Sequence, residues 1–197
     1  MKRIIAFLFI ALGLIGLGSC RKTEEPELPE DNPNPAELQG IVVYYSATNN
    51  TKRIGDTIAE YLSLPVFELV PEEPYSSEDL NYNHAESRVC REHNDPNRHT
   101  ALVSTAIEGF ENYTYVFIGY PIWWSEASWV LDDFVKNNDF TGKTVIPFAT
   151  SASSPLGNSA KNLATKAGSG LWNDGIRFRS SASASEITLW IDSLNLK

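Results

Sequence analysis

Ile41-Val42-Val43-Tyr44-Tyr45-Ser46-Ala47-Thr48-Asn49-Asn50-Thr51 is the stretch whose reading decides the fold. An unbroken run of β-branched and aromatic residues predicts a buried strand over 41–45. Six small, hydroxylated or amide-bearing residues follow. Ile54, Ile58, Tyr61 and Leu62 then recur at helical spacing, which predicts a helix over 51–62. Strand, polar loop and helix together form an anion cradle, because the first N–H groups of a helix lack partners and carry positive partial charge. The side chains of Ser46, Thr48, Asn50 and Thr51 add hydroxyl and amide donors at the same turn. No Gly-Lys pair closes the loop and no G-x-G-x-x-G opens it, so neither the P-loop nor the dinucleotide fingerprint is present. A singly attached phosphate suits such a loop. An ordinary N-capped helix after a buried strand is the alternative.

Strand and helix signals alternate through the rest of the chain. Strands are expected at 66–69, 115–118, 144–149 and 176–178. Helices are expected over Ser77–Arg91, in a short piece over Thr100–Ile107, and on stripes at Ala127–Phe134, Leu156–Ala167 and Ile187–Leu194. Five strands alternating with helices imply one α/β domain, a parallel sheet covered on both faces. Ligands of such sheets sit beyond the carboxyl ends of the strands. Three loops meet there: Ser46–Thr51, Gly119–Ser125 and Thr150–Gly157. They offer phosphate donors, large aromatic faces, and small polar residues that let backbone approach. A flat aromatic ligand bearing a phosphate fits that combination.

The loops carry a family resemblance. Ser46, Thr48, Asn50 and Thr51 stand in register with the Ser-x-Thr-Gly-Asn-Thr loop of flavodoxin-like proteins. Gly119-Tyr120-Pro121-Ile122-Trp123-Trp124 resembles the second loop of its short-chain members, and Phe140–Phe148 resembles the segment leading to the third. The resemblance covers about 40–194. It implies a three-layer sandwich with a five-stranded parallel sheet in the order 2-1-3-4-5, and non-covalent FMN as cofactor. It also implies that Ser46, Thr48, Asn49, Asn50 and Thr51 surround the phosphate. Pro121, Ile122, Trp123 and Trp124 would lie along the ribityl chain and ring, and Thr150, Ser151 and Ser153 on the other side. Three positions depart from the family pattern. Asn49 replaces a glycine at a position expected to need positive φ, which Asn tolerates best among other residues. Ser125 and Ala152–Ser153 also stand where glycines are frequent, and their side chains take room beside the ring.

Residues outside 40–197 read differently. Lys2 and Arg3 followed by the apolar run Ile4–Leu17 make a signal peptide over 1–19. Leu17-Gly18-Ser19-Cys20 resembles the lipobox of bacterial lipoproteins, with Cys20 as the lipidated residue. The Pro- and acid-rich stretch after Cys20, to residue 39, reads as a linker that cannot bury enough apolar surface to order itself. A lipid anchor in the cell envelope, periplasmic or at the outer membrane or surface, is therefore expected. The net charge of −9 becomes −11 once Lys2 and Arg3 are removed, which argues against nucleic acid as partner. Two cysteines exclude a disulfide framework.

His84, Cys90, His93 and His99 cluster with acids, but their spacing matches no standard zinc pattern, so a solvated helix and turn is expected there. Asp132 and Asp133, on the helix after the Trp loop, read as solvated, with a docking face as the alternative. No acid, base or nucleophile stands out beside the three loops. An electron carrier serving a redox protein or small acceptor is thus the leading expectation. An FMN-dependent NAD(P)H:quinone-type reductase and a flavodoxin-fold binding module without FMN are the alternatives.

Overall fold

A computed structural model describes residues 38–196. The expected signal peptide, Cys20 and nearly all of the linker lie outside them. In chain order the elements are β1 (Gly40–Tyr44), α1 (Asn50–Leu62), β2 (Val66–Glu68), α2 (Arg88–Asn94), β3 (Tyr115–Trp123), β4 (Glu126–Ala127), α3 (Asp132–Asn137), β5 (Thr144–Thr150), α4 (Ser159–Ala167), β6 (Leu171–Trp172), β7 (Ile176–Phe178) and α5 (Ala184–Ser193). The sheet runs β2-β1-β3-β5-β6, with β7 also on β5, and these pairs are parallel. This is the expected order, with the fifth position shared by two short strands.

Pro147 explains the split. The carbonyls of Lys143 and Val145 accept from Leu171 and Asn173, so odd-numbered residues of β5 face the fifth position. Pro147 stands on that side and has no N–H to give. β6 pairs as far as Val145 and β7 resumes at Phe148, with Gly175 crossing the gap at a φ of 79°. A Cβ on Gly175 would lie 2.6 Å from the Pro147 carbonyl oxygen.

Alternation along the strands divides the core in two. Ile41, Val43, Val116, Ile118 and Val145 pack with Phe134 and Leu163 on the face covered by α3 and α4. Val42, Tyr44, Phe117, Ile146 and Phe148 pack with Ile54, Ile58, Ile187 and Ile191 on the face covered by α1 and α5. Helix α1 approaches closely because residue 55 is glycine; a Cβ there would lie 2.5 Å from the Tyr44 ring. Gly119, which opens the second loop, is likewise forced: its Cβ would sit 2.2 Å from Phe148.

Of two expected helices, one is mostly replaced by turns and the other is absent. Over 77–87 the chain turns instead, and only Arg88–Asn94 is helical. Short polar side chains capture the backbone there. Asp79 accepts from Ser76 N–H and Oγ–H, Asn81 Oδ1 accepts from Asn83 N–H, and Ser87 caps α2 by accepting from Cys90 N–H. The Thr100–Ile107 segment is extended rather than helical. Leu102 bridges antiparallel to Pro71, and Val103 N–H donates to the Val70 carbonyl. The helix expected after the Trp loop is also shorter, a 3-10 turn over Trp129–Leu131 leading into α3.

Candidate functional site: an uncharged cavity at the carboxyl edge

The first loop leaves β1 and enters α1 through Asn49, at φ 61° and ψ 0°. The left-handed turn expected of this position is present, and Asn adopts it in place of glycine. Arg53 N–H returns to the Asn49 carbonyl, but no side chain caps the helix and its first turn holds no acid. The first N–H groups of α1 are therefore left for an external acceptor. Ser46 Oγ is buried and has no hydrogen-bond partner among the described residues. Asn50 Nδ2 donates to Thr48 Oγ1 at 3.0 Å, which fixes the amide across the loop. An orphaned hydroxyl beside an uncapped, acid-free helix start of thirteen residues is a donor set that fits a phosphomonoester.

One cavity of about 520 Å³ opens at this edge of the sheet. Of the sequence-expected residues, Thr48, Asn50, Pro121, Ile122, Trp123, Trp124, Thr150, Ser151 and Ser153 line it. Ser46, Asn49 and Thr51 do not. Thr51 is buried, and its Oγ1 hydrogen-bonds Thr150 Oγ1 at 2.8 Å, tying the first loop to the end of β5. Ser151 Oγ accepts from Arg177 Nε at 2.8 Å, and the same guanidinium donates to the Ala152 carbonyl at 3.3 Å. The third loop is thus pinned by a cation that reaches it from β7.

The two tryptophans differ. Trp123 is packed, edge-on to Tyr45, Tyr75 and Trp129 with centroids 5.8, 5.3 and 4.8 Å away. Trp124 is 39% exposed and lines the cavity. Trp123 pairs with Glu126 across β3 and β4, so Trp124-Ser125 is a two-residue hairpin turn. Both turn residues have positive φ, 45° and 65°. That is the mirror-image turn whose twist matches a hairpin, built here without glycine. The phenols of the aromatic cluster beneath are held protonated. Burial pushes the Tyr75 phenol up to about 12, helped by its bond to Glu92, and burial, with smaller contributions from Tyr75 and Glu92, raises Tyr45 as well.

Sequence reasoning missed one wall. Leu80, Tyr82 and Val89, from the connection between β2 and β3, line the cavity, as does Ser180. The signal was length: a connection running from 69 to 114 is far beyond the usual few residues, and long connections of this kind carry function. Cys90 is a buried free thiol, and His93 is not solvated as expected but stacks on Trp124. Asp132 pairs with Lys166 at 2.7 Å and Asp133 with His99 at 2.6 Å, so both are engaged rather than simply hydrated. No group of three metal-ligating side chains occurs among the described residues. Among the described residues, the cavity wall carries no acidic or basic side chain. It can hold a flat, largely apolar group by its faces and an anion by N–H and hydroxyl donors.

Comparison with known proteins agrees with this geometry. The flavodoxin family profile matches residues 39–194. A solved, provisionally assigned flavoprotein of Bacteroides uniformis is 35% identical, with a TM-score of 0.73 over 79% of this chain and 98% of that one. A second, from Bacteroides eggerthii, is 34% identical, with a TM-score of 0.71 over 81% and 99%. A Lactobacillus acidophilus flavoprotein solved in complex with FMN shares the fold at 19% identity, with a TM-score of 0.55 over 78% and 99%. No curated protein matches significantly. With the sheet order, the loop positions and the match across nearly all described residues in agreement, the chain belongs to the flavodoxin family.

Proposed function

We propose that the protein is an FMN-binding electron-transfer protein, tethered by lipid on Cys20 in the cell envelope. The observation that carries the flavin reading is the union of an uncapped, acid-free start of α1 with an exposed indole face in one uncharged cavity. The backbone at Asn50 and beyond, with Ser46, Thr48 and Asn50, would hold the phosphate. Pro121, Ile122 and Trp124 would border the ring and its chain, Trp123 would back them, and Thr150, Ser151 and Ser153 would close the opposite side. FMN supplies one- or two-electron redox chemistry when bound. The chain's part is to bind, orient and exclude water. Arg177, through Ser151, brings positive charge to one side of the cavity and favours negative charge developing there.

That the described residues put no acidic or basic side chain on the cavity wall favours a carrier over a substrate-specific enzyme. The partner would be a redox protein or a small electron acceptor. Envelope location rests on the lipobox-like Leu17-Gly18-Ser19-Cys20, and loss of membrane association in Cys20→Ser tests it. The flavin reading is tested by the visible spectrum of the protein titrated with FMN, followed by reduction with dithionite and with NAD(P)H. Saturable FMN uptake with reduction by dithionite but no nicotinamide turnover is expected. Steady NAD(P)H oxidation would instead favour the reductase. A folded protein that takes up no FMN would overturn both and leave a binding module.

A further inference from the structure

Trp124 lines the cavity from a place that does little to hold it. It stands at the tip of the β3–β4 hairpin, in a left-handed backbone conformation that strains an L side chain. At 39% exposed it is not fixed by burial. What it does have is His93. The two rings lie 4.4 Å apart by centroid with their planes 11° apart, a face-to-face stack. Trp129 backs the pair, 6.3 Å from His93 and 6.1 Å from Trp124.

His93 itself stands on a fixed base. Glu92, the preceding residue of α2, accepts from Trp129 Nε1 at 2.8 Å, Tyr75 Oη at 2.5 Å and Arg88 Nε at 2.7 Å. Arg98 lies over the Trp129 ring at 4.6 Å and donates to the His93 carbonyl at 3.3 Å. Helix α2 is thereby locked to the aromatic cluster beneath the cavity. Nδ1 of His93 is buried without a hydrogen-bond partner among the described residues, so no bond there aims the ring. The stack is what the imidazole contributes.

We propose that His93 is a positioning residue of this site: it holds the Trp124 indole at the cavity mouth, so that the segment between β2 and β3 sets the aperture for the flat ring. The role at the aperture rests on the flavin reading above. Without the stack, the strained turn is free to relax and Trp124 to swing toward solvent.

The test uses the purified protein and His93→Ala, His93→Phe and Trp124→Phe variants. Acrylamide quenching of tryptophan emission is measured without flavin, then FMN is titrated. In His93→Ala, quenching should rise and emission shift red, and neither change should appear when Trp124→Phe is also present. FMN affinity should fall by roughly two- to tenfold, the range of one aromatic stack. His93→Phe, which keeps a flat ring, should restore both. Unchanged quenching and unchanged affinity in His93→Ala would overturn the proposal. So would a loss that Phe fails to rescue, since that marks a general structural role. Failure of the unmodified protein to take up FMN would overturn the aperture role together with the proposed function. The flavin-free quenching separates that outcome from a failure of the stack itself.

Discussion

Replacing Thr51 by Val removes one hydroxyl and almost no volume, at the bond that joins the first loop to the end of β5. Thr51 is 1% exposed and Thr150 5%, with their Oγ1 atoms 2.8 Å apart. The substitution loses a net hydrogen bond, about 1 kcal/mol, and leaves the Thr150 hydroxyl buried without that partner, at about 1–3 kcal/mol. Thr51→Val should therefore lower stability by about 2 kcal/mol, and Thr150→Val by a similar amount. The double variant replaces both partners with apolar groups of the same shape, which is nearly neutral in such pairs. Its cost should be about 1 kcal/mol, far below the sum, with a coupling of about 2–3 kcal/mol. Urea unfolding of the flavin-free protein, followed by tryptophan fluorescence, measures all three. In melting temperature each single change corresponds to about 4–8 °C for a domain of this size. Additive single effects, or singles within about 0.5 kcal/mol of the parent, would refute the reasoning. The two loops would then be held by something other than this bond.

Ser125→Gly should stabilise the hairpin, because glycine meets a φ of 65° without the penalty of about 1–2 kcal/mol that an L side chain meets there. After the entropy glycine adds to the unfolded chain, a net gain of about 0.5–1 kcal/mol should appear as a higher urea midpoint. At the start of α5, Ser183 N–H and Oγ–H both donate to Glu186 and hold its carboxyl below its ordinary value of 4.5. A lowered folded value gives stability that is full above 4.5 and lost as the pH falls through the folded value. Glu186→Gln should thus lower the urea midpoint at pH 7 and leave it unchanged at a pH where the parent carboxyl is already protonated.

Much of the fold was legible because its signals are local and repeated. The run Ile41–Tyr45 reads as a buried strand, and alternation of such runs with helical stripes gave a parallel sheet covered on both faces, while its order came from the family resemblance. The cavity edge was legible for the same reason: loops that follow parallel strands must converge. Asn49 was read correctly from chemistry, since few other side chains accept its backbone angles. What failed was Ser77–Ser87, where Ser76, Asp79 and Asn81 bond nearby backbone instead of opening a helix, and Thr100–Ile107, where the chain pairs with Val70–Pro71. That error hid the third wall. Leu80, Tyr82 and Val89 carry no motif, and only their folded placement brings them to the site. The stack of His93 on Trp124 was hidden likewise, because it joins residues on different elements through Trp129. The split of the fifth strand was readable in principle, since Pro147 lies inside a strand that must donate on both sides.

The most direct measurement is a comparison of FMN with riboflavin, which carries the same ring and ribityl chain but no phosphate. If the start of α1 and the Ser46–Asn50 loop grip a phosphate, two or more charge-assisted bonds of about 1.5–3 kcal/mol each are lost with riboflavin. FMN should then bind at least about 100-fold more tightly by fluorescence titration. Equal affinities for the two would contradict the cradle, and with it the assignment of the cavity to FMN.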